Sequence, residues 1–477
     1  MRTIPKEILW ILALFSIRVD SLQSVRRRNQ IPSRLQIQHK RQHRNHLNIS
    51  ERHQRNKSSI STHLDDRHDS QSQKINTERY TTQATETVQQ PILSTLKEHL
   101  QQKKFREVHR IEKFARLPVW PVLNGVFIWM IGNIFGFEKA AQLENSITGR
   151  VCPNFYQYID TSPYIMLVHH CHTFSTFDPV RYIQRTFFPE GFPAHPHRGF
   201  ITITYILHGG FIHRDSEGVY QAYGSVSDPS TKDADRYNGK HTQWLNTGRG
   251  MLHEEMFDIT TKLDLNHMHS RQELFQIWLN VPARYKMDEP QSVLLGGDEA
   301  PVVYGDDGNS KTLVIAGTYN GQSSVAPILT ELVLFHVTLQ PGASWEFVVP
   351  SSLYETAFIY LRQGTLQSRA SSIKEHDSSN AEVTTIPVHH TAYFERQGGD
   401  TIQVIAGSDE VADFMFLAGA PIKEPCYASG SMVMNYPNEI EEAYSDYQKG
   451  LFGIPWDYKL SNEDWKIHVK NTKHTKK

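Results

Sequence analysis

The sequence predicts an all-β protein whose body is built from antiparallel barrels or sandwiches. From about residue 150 onward, short apolar runs alternate with Gly, Pro and Asn, among them YIMLVHH, GFITITYIL, ELFQIWLNV, KTLVIAG, ELVLFHVTL, SWEFVVP, TAFIYLRQG and TIQVIAG. Several alternate with period 2 and are rich in β-branched and aromatic residues, the pattern of strands, and no helical pattern intervenes. A break near residues 290–303 divides these runs into two comparable sets. A length of 477 residues also exceeds one ordinary domain and suits two or three.

Taken from the N-terminus, residues 1–21 read as a signal peptide. Arg2 and Lys6 make a basic start, residues 8–17 are apolar, and Val19-Asp20-Ser21 offers small residues for cleavage before Leu22. The apolar core is too short to span a bilayer. Residues 22–105 are polar, with almost no aromatic side chains, and could not bury enough apolar surface to offset chain entropy, so they are expected to be disordered. Residues 22–60 carry Arg26, Arg27, Arg28, Arg34, Lys40, Arg41, Arg44, Arg52, Arg55 and Lys57 against only Glu51. This is transit-peptide composition, and a signal followed by such a stretch resembles the two-part address of secondary plastids. Secretion is the other reading, with Asn48-Ile49-Ser50 and Asn56-Lys57-Ser58 as glycosylation sequons. No aromatic platforms interleave the basic residues, and the chain's net charge is −1, so direct nucleic-acid binding is not expected.

Within residues 106–150, the stretch 117–137 (LPVWPVLNGVFIWMIGNIFGF) contains no charge. Its length fits a membrane span, while Pro118, Pro121, Asn124 and Asn133 argue for an interfacial anchor or a segment packed against the body. These readings stay open. Three cysteines, Cys152, Cys171 and Cys426, give no even-numbered disulfide framework, and packed free thiols are expected.

In the first set of strands, His195-Pro196-His197 and His253-Glu254-Glu255 each have period-2 spacing, which puts both outer members on one face of a strand. If the two strands lie side by side, His195, His197, His253 and Glu255 converge. Three imidazoles and a carboxylate suit a divalent transition metal with positions left open for water or substrate. With 25 histidines in the chain, a lone His-x-His is weak, but here strand-forming sequence follows the first pair and the turn Gly248-Arg249-Gly250 precedes the second. Arg198, Phe200 and Trp244 are candidates for the surrounding shell, and His213 for the pocket wall. His169, His170 and His172 look like a second cluster, yet only His170 and His172 share a face. In the second set, His336 and His376 stand alone and the adjacent His389-His390 face opposite sides, so that set is expected to be structural.

The strings FPAHPHRGF, TQWLNTGRGMLHEEM, ELFQIWLNVPARYKMDEPQ and GAPIKEPCYASGSMVMNYPNEIEEAYSDYQKGLFG, over roughly residues 150–455, resemble the pirins, a branch of the cupin superfamily. The resemblance implies a bicupin: two barrels, with one metal in the first, held at the positions of His195, His197, His253 and Glu255. Fe(II) is the implied metal, with Mn, Ni, Co, Cu and Zn as alternatives. It also implies two activities, dioxygenase cleavage of flavonols such as quercetin and iron-dependent protein regulation. The expected partner is accordingly a small phenolic substrate or a protein, bound by a monomer. One position departs: most pirins carry a glutamate after His-Arg-Gly-Phe, and here it is Ile201. A carboxylate near a metal is a natural base for a bound phenol, so Ile201 weakens the dioxygenase reading; Glu254, Glu255 or a metal-bound water would have to substitute.

The expected division is a leader at 1–21, a polar segment at 22–105, an apolar segment at 106–150, the metal-bearing cupin at 151–290, a second cupin at 291–435, and a C-terminal helix and tail at 436–477. Asn438 is placed to cap a helix over 439–449 that Gly450 ends. The lysine-rich tail from Trp456 onward reads as a loose extension.

Overall fold

Each of two antiparallel barrels in the computed structural model pairs a seven-stranded sheet with a four-stranded one. The structure describes residues 104–113, 117–118, 133, 136, 149–156, 158–175, 189–224, 241–259, 269–296, 299–349, 353–369 and 383–472. The leader, the polar segment up to residue 103, and the apolar stretch apart from Leu117, Pro118, Asn133 and Gly136 lie outside the described residues. Among those described, no helix is long and apolar enough to cross a membrane.

In the first barrel, the large sheet runs Gln291–Leu295, Thr242–Asn246, Phe200–His208, His269–Asn280, Tyr164–Ser175, Gly149–Phe155, Leu117–Pro118. Facing it is the small sheet Gly191–His197, Met251–Asp258, Gly210–Asp215, Tyr220–Gly224. The second barrel's large sheet runs Val108–Lys113, His390–Phe394, Thr356–Gln363, Ala412–Gly419, Leu332–Leu339, Ser310–Ala316, Val302–Tyr304. Its small sheet is Ser344–Val348, Thr401–Ala406, Leu366–Arg369, Val383–Ile386.

The two large sheets share a core on their outer faces. Ile201, Ile203, Tyr205, Phe275, Ile277 and Leu279 of the first meet Leu334, Phe358, Tyr360, Met415 and Leu417 of the second. Strands buried on both faces lose the polar alternation of half-buried strands, which is why ELFQIWLN and ELVLFHVTL read as near-continuous apolar runs. Inside the second barrel, Phe335, Trp345, Phe347, Phe414 and Phe416 pack into a closed apolar core. The first barrel's interior differs: Thr204, Glu255 and His253 are buried there among apolar residues, beside the half-buried Gln276. That asymmetry puts polar and titratable side chains inside the first barrel, while the described interior of the second is apolar.

Strand pairing refines the boundaries. Gln291–Leu295 is antiparallel to Thr242–Asn246, so the first barrel continues to Leu295 and the second begins at Val302. Val108–Lys113, inside the segment read as apolar, pairs with His390–Phe394 of the second barrel. Only a contact far away in sequence gives that short strand a place. The C-terminal helix spans Pro437–Gln448 and starts before Asn438. Its N-terminus is capped instead by the Glu439 carboxylate, which accepts the backbone N–H groups of Asn435 and Tyr436, each at 2.9 Å.

The tail is not loose. A second helix, Asn462–Thr472, is opened by Ser461, whose Oγ accepts the N–H of Asp464 at 3.0 Å and donates to its carboxylate. Trp465 of this helix is fully buried against Trp456, with ring centroids 6.2 Å apart. The Ser461-x-x-Asp464 capping signal stood in the sequence, but the apolar face it introduces is only Trp465 and Val469, too short a pattern to outweigh the surrounding lysines.

Candidate metal centre

Strands Gly191–His197 and Met251–Asp258 lie side by side and antiparallel, with His253 opposite His195 and Met251 opposite His197. Alternation turns His195 and His197 to one face, and the register sets His253 against them. The ring centroids are 4.7 Å apart for His195–His197, 4.3 Å for His195–His253 and 4.8 Å for His197–His253. One ligating nitrogen from each ring lies within 4.8 Å of the others.

The hydrogen bonds fix how these rings face. His195 Nδ1 is 2.9 Å from the Pro193 carbonyl, and His197 Nδ1 is 3.3 Å from the Ser431 carbonyl. A carbonyl only accepts, so both Nδ1 atoms carry hydrogen and Nε2 is left as the lone-pair nitrogen. Ligating histidines are oriented in this way by an outer partner on the second ring nitrogen. His253 is fully buried, and among the described residues neither of its nitrogens has a partner. Leaving such a group unsatisfied costs about 1–3 kcal/mol, and an ion at the triad would satisfy one of the two nitrogens. Burial holds the His195 imidazole down at about 4, and burial plus the neighbouring rings hold those of His197 and His253 well below the usual range. All three are therefore neutral, and available as donors, at physiological pH. The residues fit a divalent transition metal.

Comparisons with known proteins agree with this geometry. The sequence model of the pirin family matches residues 154–279, and that of the pirin C-terminal cupin domain matches residues 334–453, together about half of the chain. Over 267 residues the chain is 32% identical to a pirin-like protein of Arabidopsis thaliana, covering 56% of this chain and 84% of that relative. The chain belongs to the pirin family. It is 27% identical over 280 residues to a Thermoplasma acidophilum protein named as a putative quercetin 2,3-dioxygenase, with 56% of this chain and 95% of the relative covered. A crystal structure of quercetin 2,3-dioxygenase from Acinetobacter baumannii shares the fold, with a TM-score of 0.52 and 22% identity over 73% of this chain and 99% of that one.

Not every expected pirin ligand joins the triad. A bulge between His253 and Glu255 shifts the register so that Glu255 sits opposite Phe192. Its carboxylate accepts hydrogen bonds from Thr204 Oγ1 on Oε1 at 3.0 Å and from Gln276 Nε2 on Oε2 at 2.8 Å. Burial pushes Glu255 up, against the opposing pull of His213, Thr204 and Gln276. His213, on the adjacent strand and opposite Glu255, is fully buried with its ring 5.5 Å from that of His253. Its Nε2 meets Asp215 Oδ2 at 3.1 Å, and the same oxygen accepts Ser292 Oγ at 2.7 Å.

The shell residues divide by strand face. Phe200 does line the triad, edge-on to His197 at 5.1 Å. Trp244 faces the core between the barrels, and Arg198 turns outward to Asp446 at 2.9 Å and the Arg249 carbonyl at 2.6 Å. Gly199 (φ +86°) and Gly250 (φ +123°) are needed for close approach: a Cβ would run into the Val433 carbonyl at the first and into the Phe452 ring at the second. Ile201 requires a correction. It follows Phe200, so its side chain points to the opposite face, into the core between the barrels, at 3% exposure. Its lack of a carboxylate therefore has no bearing on the metal pocket. Ile201→Glu is expected to create no activity and to lower stability by about 1–3 kcal/mol or more, since it buries an acid among apolar side chains; a urea melt and an oxygen-uptake assay check both halves.

His170 and His172 stack on one face, their nitrogens 3.2 Å apart, and His170 abuts Phe192. His169 faces the other way and bonds Glu273 and Tyr360 at 2.9 and 3.0 Å. His336 is not alone: it bonds Asp413 and Tyr205. His376 lies outside the described residues. Among the described residues Cys171 and Cys426 are not joined to each other, and the side chain of Cys152 lies outside those residues. The sequence reading missed Thr204, Gln276, Trp278 and Ser431. Thr204 and Gln276 carried a signal, being polar residues inside apolar strand runs. Ser431 carried none, because it arrives from the far end of the chain.

Proposed function

We propose that this pirin holds a divalent transition metal, Fe(II) first and Mn, Ni, Co, Cu or Zn as alternatives, on His195, His197 and His253, with Glu255 held nearby by Thr204 and Gln276. The reading is carried by His253, a fully buried imidazole with two unpartnered nitrogens in the middle of a cluster of neutral ligands. When bound, the metal supplies Lewis acidity and open coordination positions.

The chain's own residues favour a small aromatic substrate with a phenolic oxygen. Trp278 (8% exposed) sits 5.5 Å from the His197 ring and 4.6 Å from Phe200, and its indole N–H has no partner. These two rings offer flat apolar contact, and the indole an oriented donor. Glu255, held by Thr204 and Gln276, is a carboxylate inside the barrel to which a phenolic proton can pass. Together these features support dioxygenase cleavage of a quercetin-type flavonol, in keeping with the Thermoplasma relative. Oxygen consumption by iron-loaded protein on addition of quercetin, lost in Glu255→Ala, is the expected result; iron-loaded protein that consumes no oxygen with quercetin contradicts it.

That contrary result would favour a second reading, a non-catalytic iron- or redox-responsive binding protein. One observation speaks for it directly: the Ser431 carbonyl grips His197, so the metal site is joined to a segment that continues onto the protein's surface.

A further inference from the structure

The strand that carries His253 and Glu255 has a second face, and the family match does not account for what covers it. Leu252 and Glu254 alternate with the ligand positions and point out of the barrel. Leu252 is fully buried in a cluster with Ile440, Phe452, Trp456, Trp465 and Val469. Glu254 is 1% exposed, an uncommon setting for a carboxylate. Its Oε1 meets Arg214 Nη1 at 3.3 Å beside the indole of Trp456. The same Nη1 donates to the Leu460 carbonyl at 3.0 Å, and the guanidinium lies over Trp465 at 5.8 Å. Leu460, Trp465 and Val469 all belong to residues 454–472, beyond the end of the matched pirin C-terminal domain at residue 453.

We propose that residues 454–472, closing through Trp465 and Leu460 over the Glu254–Arg214 pair, position His253 and Glu255 from outside the barrel and so set the affinity of the metal site. The inference rests on the metal reading above. A β-strand is a stiff beam between its two faces: Leu252 and Glu254 cannot shift without carrying His253 with them. Glu254 Oε2 and Arg214 Nε have no partner among the described residues, so this buried pair rests on few bonds, and the tail supplies one of them through the Leu460 carbonyl. The other strand of the triad is also tied to the C-terminal part of the chain, with His197 bonded to Ser431 and the next residue, Arg198, to Asp446. Coupling of this kind is reciprocal: if tail docking tightens metal binding, metal binding must tighten tail docking by the same factor.

The test uses Co(II) as the probe and the full chain. Trp465→Ala is expected to weaken Co(II) binding about 10–100-fold, the usual effect of removing an outer partner, and to alter the visible absorption bands of the bound ion. Trp465→Phe should restore most of the affinity, and Arg214→Met should reproduce the loss. In the wild-type chain, Co(II) should slow amide hydrogen exchange across 462–472. A purely structural role for the tail would lower the melting temperature and leave affinity, spectrum and metal-dependent exchange unchanged. Unchanged Co(II) affinity in a folded Trp465→Ala or Arg214→Met protein would overturn the proposal, as would exchange at 462–472 indifferent to Co(II). If Trp465→Ala does not fold, Arg214→Met and the wild-type exchange measurement decide. Wild-type protein that takes up no Co(II) defeats the underlying metal reading instead, a distinguishable outcome that removes this proposal with it.

Discussion

Replacing His253 with leucine is expected to abolish metal binding while leaving the metal-free protein as stable as before, or more stable by about 1 kcal/mol. Ordinarily, altering a fully buried side chain at the centre of a barrel destabilises. Here the imidazole is desolvated with both nitrogens unpartnered, and the cost of an unsatisfied buried polar group is about 1–3 kcal/mol. Leucine fills a similar volume and demands no partner. The benefit the wild type draws from His253 appears only with the ion. At metal concentrations of ~100 times Kd, binding adds about 2.7 kcal/mol to the stability of the fold. The wild type should therefore melt higher on metal addition, and His253→Leu should not respond. Thermal unfolding with and without metal, together with metal analysis of both proteins, checks each part. A metal-free variant markedly less stable than metal-free wild type would show that His253 has protein partners after all.

The second large effect is on stability. Arg362→Met is expected to cost about 3–5 kcal/mol at neutral pH, the range for breaking a buried ion pair by removing one partner. Arg362 bridges the barrels: its Nη1 is 3.1 Å from Glu273 Oε1 in the first, and its Nε 2.6 Å from Asp413 Oδ1 in the second. Both carboxylates are buried, at 1% and 5% exposure. His169 approaches Glu273 and His336 approaches Asp413, each at 2.9 Å. Without the guanidinium two desolvated carboxylates would face each other across the interface. The His169 and Arg362 partners outweigh burial and hold Glu273 at about 2, while His336 and Arg362 hold Asp413 well below the carboxylate range. Depressed carboxyl groups contribute stability that is complete above their unfolded values near 4 and is lost as pH falls through the folded ones. In the variant these groups take up protons more readily, so its deficit should be largest at neutral pH and shrink below pH ~4. Urea unfolding of both proteins at pH 7 and in mild acid measures this. An equal deficit at both pH values would assign the loss to packing of the arginine stem instead.

How far the sequence discloses this molecule depends on whether the deciding interactions are local. His195, His197 and His253 were legible because strand alternation is a local rule, and two period-2 pairs on neighbouring strands have few ways to miss each other. Glu255 obeyed the same spacing, but its hydrogen-bond partners Thr204 and Gln276 come from strands distant in sequence, and they hold its carboxylate apart from the three imidazoles. Ile201 was misjudged for a related reason. Phe200–His208 is buried on both faces, so hydrophobicity could not say which residues faced the barrel interior, and only the position of Phe200 against His197 settles it. The tail was misread because Trp465 depends on Trp456, Arg214 and Leu252, contacts that no local window contains. Val108–Lys113 is similar, a strand made by its partner His390–Phe394.

The central claim is that one metal sits among three imidazoles of the first barrel. Anomalous X-ray scattering, measured at the absorption edge of the reconstituting metal on crystals of the loaded protein, tests it most directly. The expected result is a single strong peak about 2.0–2.2 Å from one nitrogen each of His195, His197 and His253. A peak at His170 and His172 or at the inter-barrel network, or none in protein that carries the metal in solution, would contradict it.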